Sequence, residues 1–273
     1  MFNRSDEDVF QDLDLLIENV NNHGVDKLKN EIEARKKRSS IVLGNNDFFM
    51  EQFAGKIAFS QNANSNSVSE MIEAGVLRDA FQNFDTGVVV SLSSDKIIEE
   101  YWGRLGVIRF PGKIPRIIGC ALALETIENN GESMKELLKN IPKEVNNVAD
   151  LDNFWTEFTI LKNKLKEYKM PFFKQTTSLL HLLVDLGFYC LKPDLVVMKV
   201  ASQGLGLTQY KKSYYPDKEL VKVVRAIQTY SLEKGLRPEV LDLYLLIEGG
   251  QSWAKKKQFV TRDFQPRFGP YRK

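Results

Sequence analysis

Apolar residues recur at helical spacing through most of the chain. The clearest segments are residues 8–20, 47–59, 97–108, 114–127, 153–168, 176–189, 218–235 and 238–250. In each of them, apolar side chains at i, i+3 and i+4 place one apolar stripe along a helix. The pattern therefore predicts an all-α protein of about ten helices.

Local signals locate several helix boundaries. Candidate starts are Ser94 or Asp95, Asp152 or Asn153, and Pro238 after Gly235, because these residue types favour the first positions of a helix. Residues 87–92 (GVVVSL) alone have the composition of a strand. Since they lie between two helical segments, we expect a short buried loop or turn there.

Two polar breaks divide the chain. One opens at Gly44, and the other covers residues 204–218, where glycine, lysine and tyrosine are mixed. We predict an inner helical domain over 45–200 and an outer helical lobe built from 1–44 and 201–273. The outer lobe ends in a basic tail, since residues 251–273 hold seven lysines and arginines and one aspartate. A second basic cluster, residues 35–38, lies near the other end, and both are candidates for phosphate contact.

Composition narrows the class of protein. Hydrophobic residues make up 43% of the chain and the formal net charge is +2. No apolar run approaches the roughly 18 residues that cross a bilayer, and the acidic first residues do not resemble a signal peptide, so we expect a cytoplasmic protein with no membrane contact. Two cysteines are too few to hold an iron–sulfur cluster, and two histidines with these cysteines do not have the spacing of a zinc site. We expect no cofactor, and buried free thiols at Cys120 and Cys190.

Residues 170–200 carry the most specific pattern. Met170-Pro171 is followed by Thr176-Thr177-Ser178, then by Leu186-Gly187, and Asp194 comes seven residues after that glycine. This order and spacing resemble the helix-hairpin-helix superfamily of DNA glycosylases. In that superfamily a tight turn joins two helices, and an aspartate begins the helix that follows them.

A second stretch resembles part of the bacterial 3-methyladenine DNA glycosylases of the Tag class. The shared features are Ala80-Phe81, Phe84-Asp85, residues 106–109 and residues 112–114. The two resemblances together cover about residues 50–200. They imply two helical lobes with a cleft between them, and a monomer that binds double-stranded DNA containing a damaged base.

The resemblance also implies a reaction. Asp194 is the implied catalytic residue of base-excision repair. Its carboxylate would stabilise positive charge on the deoxyribose of a flipped nucleotide and help a water to attack. Thr176 stands where lyase-active members carry a lysine, which implies a monofunctional glycosylase that leaves the DNA strand intact.

The other implied site residues fall into two groups. The DNA-binding group comprises Lys174, Gln175, Thr176 and Thr177 at the hairpin, Gln61 and Asn62 after the 47–59 helix, Ile108 and Arg109 in a wedge loop, and Lys113 facing a strand backbone. The base pocket comprises Phe59, Phe188 and Tyr189.

The sequence departs from the family's pattern and leaves alternatives. Phe172 and Lys174 replace the two glycines of the hairpin, and Phe59 replaces the acidic residue with which the Tag class reads its base. Asp194 following Pro193 also suits a simple helix N-cap, and aromatic residues near helix ends are commonly core. The remaining functional alternatives are a DNA-binding protein without catalysis and an all-helical interaction protein.

Overall fold

The computed structural model describes residues 4–37, 41–61, 63–250 and 257–269. Within those ranges the protein is all-α, as predicted, with fourteen α-helices and two short 3-10 turns. The number of helices exceeds the predicted ten because several helices, such as Val76–Ala80 and Met134–Leu138, are too short to show a helical period in the sequence.

The helices are α1 Asp6–Asn22, α2 Asp26–Lys36, α3 Asn46–Phe59, α4 Ser65–Glu73, α5 Val76–Ala80, α6 Thr86–Val89, α7 Ser94–Leu105, α8 Lys113–Asn129, α9 Met134–Leu138, α10 Val148–Glu167, α11 Thr176–Asp185, α12 Leu195–Gln203, α13 Asp217–Glu233 and α14 Pro238–Glu248. The 3-10 turns are Gln82–Phe84 and Gly106–Ile108. No helix among the described residues combines the length and the apolar character needed to cross a membrane.

The predicted boundary holds at α14, which begins at Pro238. α7 begins at Ser94 with Ser93 as its N-cap, so a cap at Ser94 or Asp95 was predicted one or two residues late. The predicted start near Asp152 is wrong, because α10 begins at Val148. The local reason is Asn147, whose side-chain oxygen accepts a hydrogen bond from the backbone N–H of Asp150 at 3.0 Å.

The valine-rich stretch at 87–92 forms turns and no strand, as predicted, but it is only partly buried. Thr86–Val89 forms one helical turn, and the Asp85 side chain caps it by accepting from the Val88 backbone N–H. Val89 is buried, whereas Val88 is 40% exposed. Thr86 is also buried, and its backbone N–H and hydroxyl both donate to Asp47 at 2.9 and 3.0 Å, so a buried valine and these hydrogen bonds hold this short helix in place.

The described chain forms two compact units. The inner unit comprises Val42–Ile141 and Thr156–Ser178, and the terminal unit comprises the chain up to Ile41, Pro142–Trp155 and the chain from Leu179 onward. The terminal unit thus takes in 142–155 and 179–200, which we assigned to the inner domain. One cause is a buried chain of hydrogen bonds within it: Trp155 Nε1 donates to Gln228, and Gln228 Nε2 donates to the carbonyl oxygen of Tyr189.

In the inner unit, α3 and α8 form the centre of the core. Phe49, Phe53, Ile117 and Leu124 are fully buried there. Cys120 on α8 is a buried free thiol, as predicted. Burial raises its pKa far above the usual range, so it has no thiolate character.

In the terminal unit, α14 is apolar on nearly every side and packs against α1, α2, α12 and α13. Gly249, at its end, permits close approach of α12, since a Cβ atom there would lie 2.3 Å from Val196 Cγ1. Cys190 is also a buried free thiol in this unit, as predicted. This packing fixes the start of α12, and therefore Asp194.

The described part of the basic tail, residues 257–269, packs onto the terminal unit. Phe259 and Phe264 are buried, and the backbone N–H of Thr261 donates to the carbonyl oxygen of His23. Arg267 pairs with the fully buried Glu248 at 3.3 Å. Lys255, Lys256, Arg272 and Lys273 lie outside the described residues.

Candidate functional site

Asp194 is the N-cap of α12. Its Oδ1 atom accepts hydrogen bonds from the backbone N–H groups of Val196 at 2.9 Å and Val197 at 3.0 Å. The residue is half-buried, and Oδ2 accepts no hydrogen bond within the described part of the chain. The N-cap alternative is therefore confirmed, whereas the catalytic role stays a prediction.

A second carboxyl group, that of Asp242, interacts electrostatically with Asp194. Asp242 on α14 has a side chain that is only 14% exposed, and Arg35 Nη1 donates to its Oδ2 at 3.3 Å. Burial raises the pKa of Asp242 to about 6. Arg35 and Lys192 oppose that rise, and the charge of Asp194 adds to it. The sequence signal for this residue was a single aspartate inside the apolar segment PEVLDLYLL.

Arg35, which opens the basic cluster at 35–38, is an internal residue. It is 8% exposed, and Nη1 also donates to the carbonyl oxygen of Glu239 at 2.8 Å. Its Nε atom pairs with Glu31 at 3.0 Å. Arg35 is therefore no longer a candidate for phosphate contact, because its guanidinium is already bound inside the terminal unit.

The predicted hairpin is a turn between α10 and α11. Within it, Phe173 N–H donates to Pro171 O at 2.6 Å, and Gln175 N–H donates to Phe172 O at 3.2 Å. Phe172 has φ +63, a left-handed backbone that bulky residues rarely adopt and glycine adopts freely. The backbone is therefore left-handed at the position where the resemblance aligns Phe172 with a hairpin glycine.

Neighbouring helices of the inner unit hold this turn in place. The Phe173 ring is fully buried and stacks on Phe53 of α3, with ring centroids 4.4 Å apart. Gly119 of α8 lies against the ring of Pro171, where a Cβ atom would be 2.8 Å from Cγ. Pro171 and Phe173 are therefore used for packing, whereas Lys174 and Gln175, which follow them, are exposed.

Of the predicted hairpin contacts, Lys174 and Gln175 are exposed and Thr177 is partly exposed. Thr176 is 1% exposed, and its Oγ1 atom accepts a hydrogen bond from Lys162 Nζ at 2.6 Å. The structure thus contradicts a direct DNA contact by the Thr176 side chain, because α10 covers it. Lys174, Gln175 and Thr177 remain predicted contacts.

The predicted DNA contact of Lys113 is also contradicted by the structure. It is fully buried, and its Nζ atom donates to the carbonyl oxygens of Ala58 at 2.9 Å and Ser60 at 2.6 Å. Burial, reinforced by the charges of Arg116 and Arg109, lowers the pKa of Lys113 to about 8. The residue closes the carboxyl end of α3, and so its ammonium does not face a DNA strand.

Gln61 and Asn62 were predicted at the end of α3. Gln61 follows the C-cap residue Ser60, is exposed and has φ +57. It remains a predicted DNA contact, whereas Asn62 lies outside the described residues.

The predicted wedge loop presents a different side chain from the one expected. Ile108 is fully buried, which contradicts its role as an inserting residue. Arg109 is exposed with φ +74, and its guanidinium lies over the Phe110 ring, 5.4 Å from the centroid. Phe110, which the sequence analysis missed, is 44% exposed. Its only sequence signal was its place before Pro111-Gly112.

The predicted base pocket is mostly core. Phe188 is fully buried and Tyr189 is 4% exposed. The Tyr189 hydroxyl donates to the carbonyl oxygen of Leu236 at 3.2 Å, and burial raises its pKa. The core alternative is therefore confirmed for these two residues. Phe59 is partly exposed and stays a prediction.

The described residues include no group of three or more histidine, cysteine, aspartate or glutamate side chains placed to hold a metal ion. In comparisons with known proteins, no family model, no curated protein and no solved structure matches this chain.

Proposed function

We propose that the protein is a DNA glycosylase of base-excision repair, which hydrolyses the N-glycosidic bond of a damaged base flipped out of double-stranded DNA. The observation that carries the proposal is the carboxylate of Asp194. One oxygen is fixed by two backbone N–H groups, and the other accepts no hydrogen bond within the described residues.

This arrangement suits glycosidic chemistry. As the bond to the base breaks, positive charge develops on the sugar, and a carboxylate held in advance stabilises it without reorganising. The same oxygen can accept a proton from the attacking water. Asp242 supplies a second carboxyl whose pKa of about 6 differs from the usual aspartate value, and carboxyl groups in contrasting environments are a feature of enzymes that cleave glycosidic bonds.

Two surface features support binding to DNA. The turn before α11 exposes Lys174 and Gln175 beside the left-handed Phe172, and a cation there can pair with a phosphate without reading sequence. The exposed Phe110 beside Arg109 is an aromatic ring next to a charge, and apolar side chains of this kind are inserted between base steps when proteins distort a duplex.

The test is excision from duplex oligonucleotides that carry alkylated, oxidised or deaminated bases, followed by alkaline cleavage of abasic sites. We expect wild-type protein to release at least one of these bases. Asp194→Asn should lose the activity by orders of magnitude, because the amide still caps α12 but has no charge. The matched control is Asp85→Asn, which changes another N-cap aspartate and should remain active.

The second candidate function is a DNA-binding protein without catalysis. The observation that favours it is the N-cap itself, which explains an aspartate at position 194 without any reaction. Binding of duplex DNA with no excision across the panel would support this candidate. No affinity for duplex DNA at low salt would reject both candidates.

A further inference from the structure

The loop between α12 and α13 presents two tyrosine rings to solvent. We call residues 208–216 the tyrosine loop. Tyr214 is 72% exposed and Tyr210 is 44% exposed. Neither ring contacts another aromatic ring or a cation, and neither hydroxyl forms a hydrogen bond, within the residues that the structure describes. The fold does not use these two rings, so they are available to a partner.

The loop is nevertheless well anchored to the terminal unit. Lys211 Nζ pairs with Glu219 of α13 at 2.6 Å, and the Thr208 hydroxyl donates to the same carboxylate. Tyr215 is 4% exposed, and its hydroxyl accepts a hydrogen bond from the Lys211 backbone N–H at 2.9 Å. An anchored loop presents its exposed rings with little loss of entropy on binding.

Residues 208–222 hold four lysines against Asp217 and Glu219, so the formal net charge of this segment is +2. Lys211 and Thr208 hold the pKa of Glu219 below its usual value, so this carboxylate is ionised and already paired. Lys218 and Lys222 lie one helical turn apart on α13 and are both exposed. Neither of these two lysines forms an ion pair within the described ranges. Exposed cations in the first two turns of α13, and exposed aromatic rings in the loop that leads into it, favour an anionic partner with flat faces.

We propose that the tyrosine loop, together with Lys218 and Lys222, binds single-stranded DNA, with unpaired bases stacked on Tyr210 and Tyr214 and phosphates paired with the lysines. Aromatic rings stack on bases of any sequence, whereas the base faces of a duplex are already covered. A membrane surface is the poorer fit, because the side chains between the rings are Lys211, Lys212 and Ser213, with no aliphatic residue to enter the lipid. This site stands whether or not the chain cleaves a glycosidic bond.

The test is fluorescence anisotropy of the full chain with a labelled 12-nucleotide dT strand and with a duplex of the same length. Tyr210→Leu with Tyr214→Leu should weaken binding to the single strand by at least about tenfold and leave duplex affinity within about twofold. The corresponding double Phe variant should bind like wild type, because stacking requires the ring and not the hydroxyl.

The lysines are tested by the salt dependence of binding to the same strand. Lys218→Ala with Lys222→Ala should reduce the slope of log affinity against log salt by up to about 1.4, or about 0.7 for each phosphate contact. The matched control is Lys135→Ala with Lys139→Ala, two exposed lysines with the same spacing at α9, which should leave the slope unchanged. An unaltered affinity in the Leu variant, or no binding of the dT strand at low salt, would overturn the proposal.

Discussion

The ammonium nitrogen of Lys162 lies 2.6 Å from the hydroxyl oxygen of Thr176, and both side chains are at least nine-tenths buried. Thr176 stands where the family resemblance implies a lysine in lyase-active members. The inner unit therefore contains a lysine beside that position, supplied by α10 instead of α11. Its burial and its hydrogen bond to Thr176 hold it away from solvent.

The first prediction concerns strand cleavage. Because the Lys162 amine is buried and bonded to Thr176, it should not form an imine with an abasic sugar. We expect an intact abasic strand after base release and no covalent complex on borohydride treatment. A trapped complex that disappears in Lys162→Met would contradict this prediction, and one that disappears in Lys174→Ala would assign the reaction to the exposed hairpin lysine.

The second prediction concerns the left-handed residue of the hairpin turn. Phe172→Gly should relieve backbone strain of about 1–2 kcal/mol and let the backbone approach a phosphate. We expect affinity for duplex DNA to rise about threefold or more, equivalent to about 0.6 kcal/mol. The control is Gln82→Gly at an exposed residue that also has a left-handed backbone (φ +49), which should not alter affinity. Weaker binding by Phe172→Gly would mean that the ring itself contacts DNA.

The third prediction concerns the support of the turn. Gly119→Ala should lower the free energy of unfolding by about 1–3 kcal/mol, because the new methyl group would overlap Pro171. Alanine is otherwise the better helix former by about 1 kcal/mol. Gly103→Ala in α7, where no atom lies within 4 Å of the new Cβ, should therefore be stabilising. Urea denaturation of both variants measures the difference in unfolding free energy. Equal stabilisation of the two would show that Pro171 moves aside for the new methyl group without loss of stability.

The fourth prediction separates an exposed lysine from a buried one. Lys174→Ala should reduce the slope of log duplex affinity against log salt by about 0.9, the value for one phosphate contact. Lys113→Met should leave that slope unchanged. Its cost is in stability instead, about 1–3 kcal/mol, since the buried carbonyl oxygen of Ala58 and the partly buried one of Ser60 lose their donor. A change of slope in Lys113→Met with full stability would return Lys113 to the DNA-binding group.

The fifth prediction follows from the raised pKa of Asp242. A carboxyl with a pKa of about 6 in the folded state binds a proton more tightly than in the unfolded chain. Its ionisation therefore costs stability as pH rises from about 4 to about 6. The stability of wild type relative to Asp242→Asn should fall by about 2–3 kcal/mol over that interval and then level off. Arg35, Asp194 and Lys192 are the charged groups that face it. Denaturation at a series of pH values measures the difference, and a constant difference would place the Asp242 pKa in the usual range.

Much of the helical framework was determined by the sequence alone. Long segments such as α1, α3, α8, α13 and α14 show a helical period that needs no distant partner to be recognised. The start of α14 at Pro238 and the cap at Asp194 are also local, because the residue and its hydrogen-bond partners lie within one turn of each other.

Tertiary structure decided which charged and polar side chains are available. Lys113 and Arg35 have basic neighbours in the sequence, which predicts an exposed position. Their hydrogen-bond acceptors are instead carbonyl oxygens 55 and 204 residues away. Thr176 is covered by Lys162 from the preceding helix, and Phe110 is exposed where Ile108 was expected. A side chain is buried when distant helices pack over it. That packing depends on the whole chain, so local periodicity could predict these helices but not which of their polar groups remain free to bind.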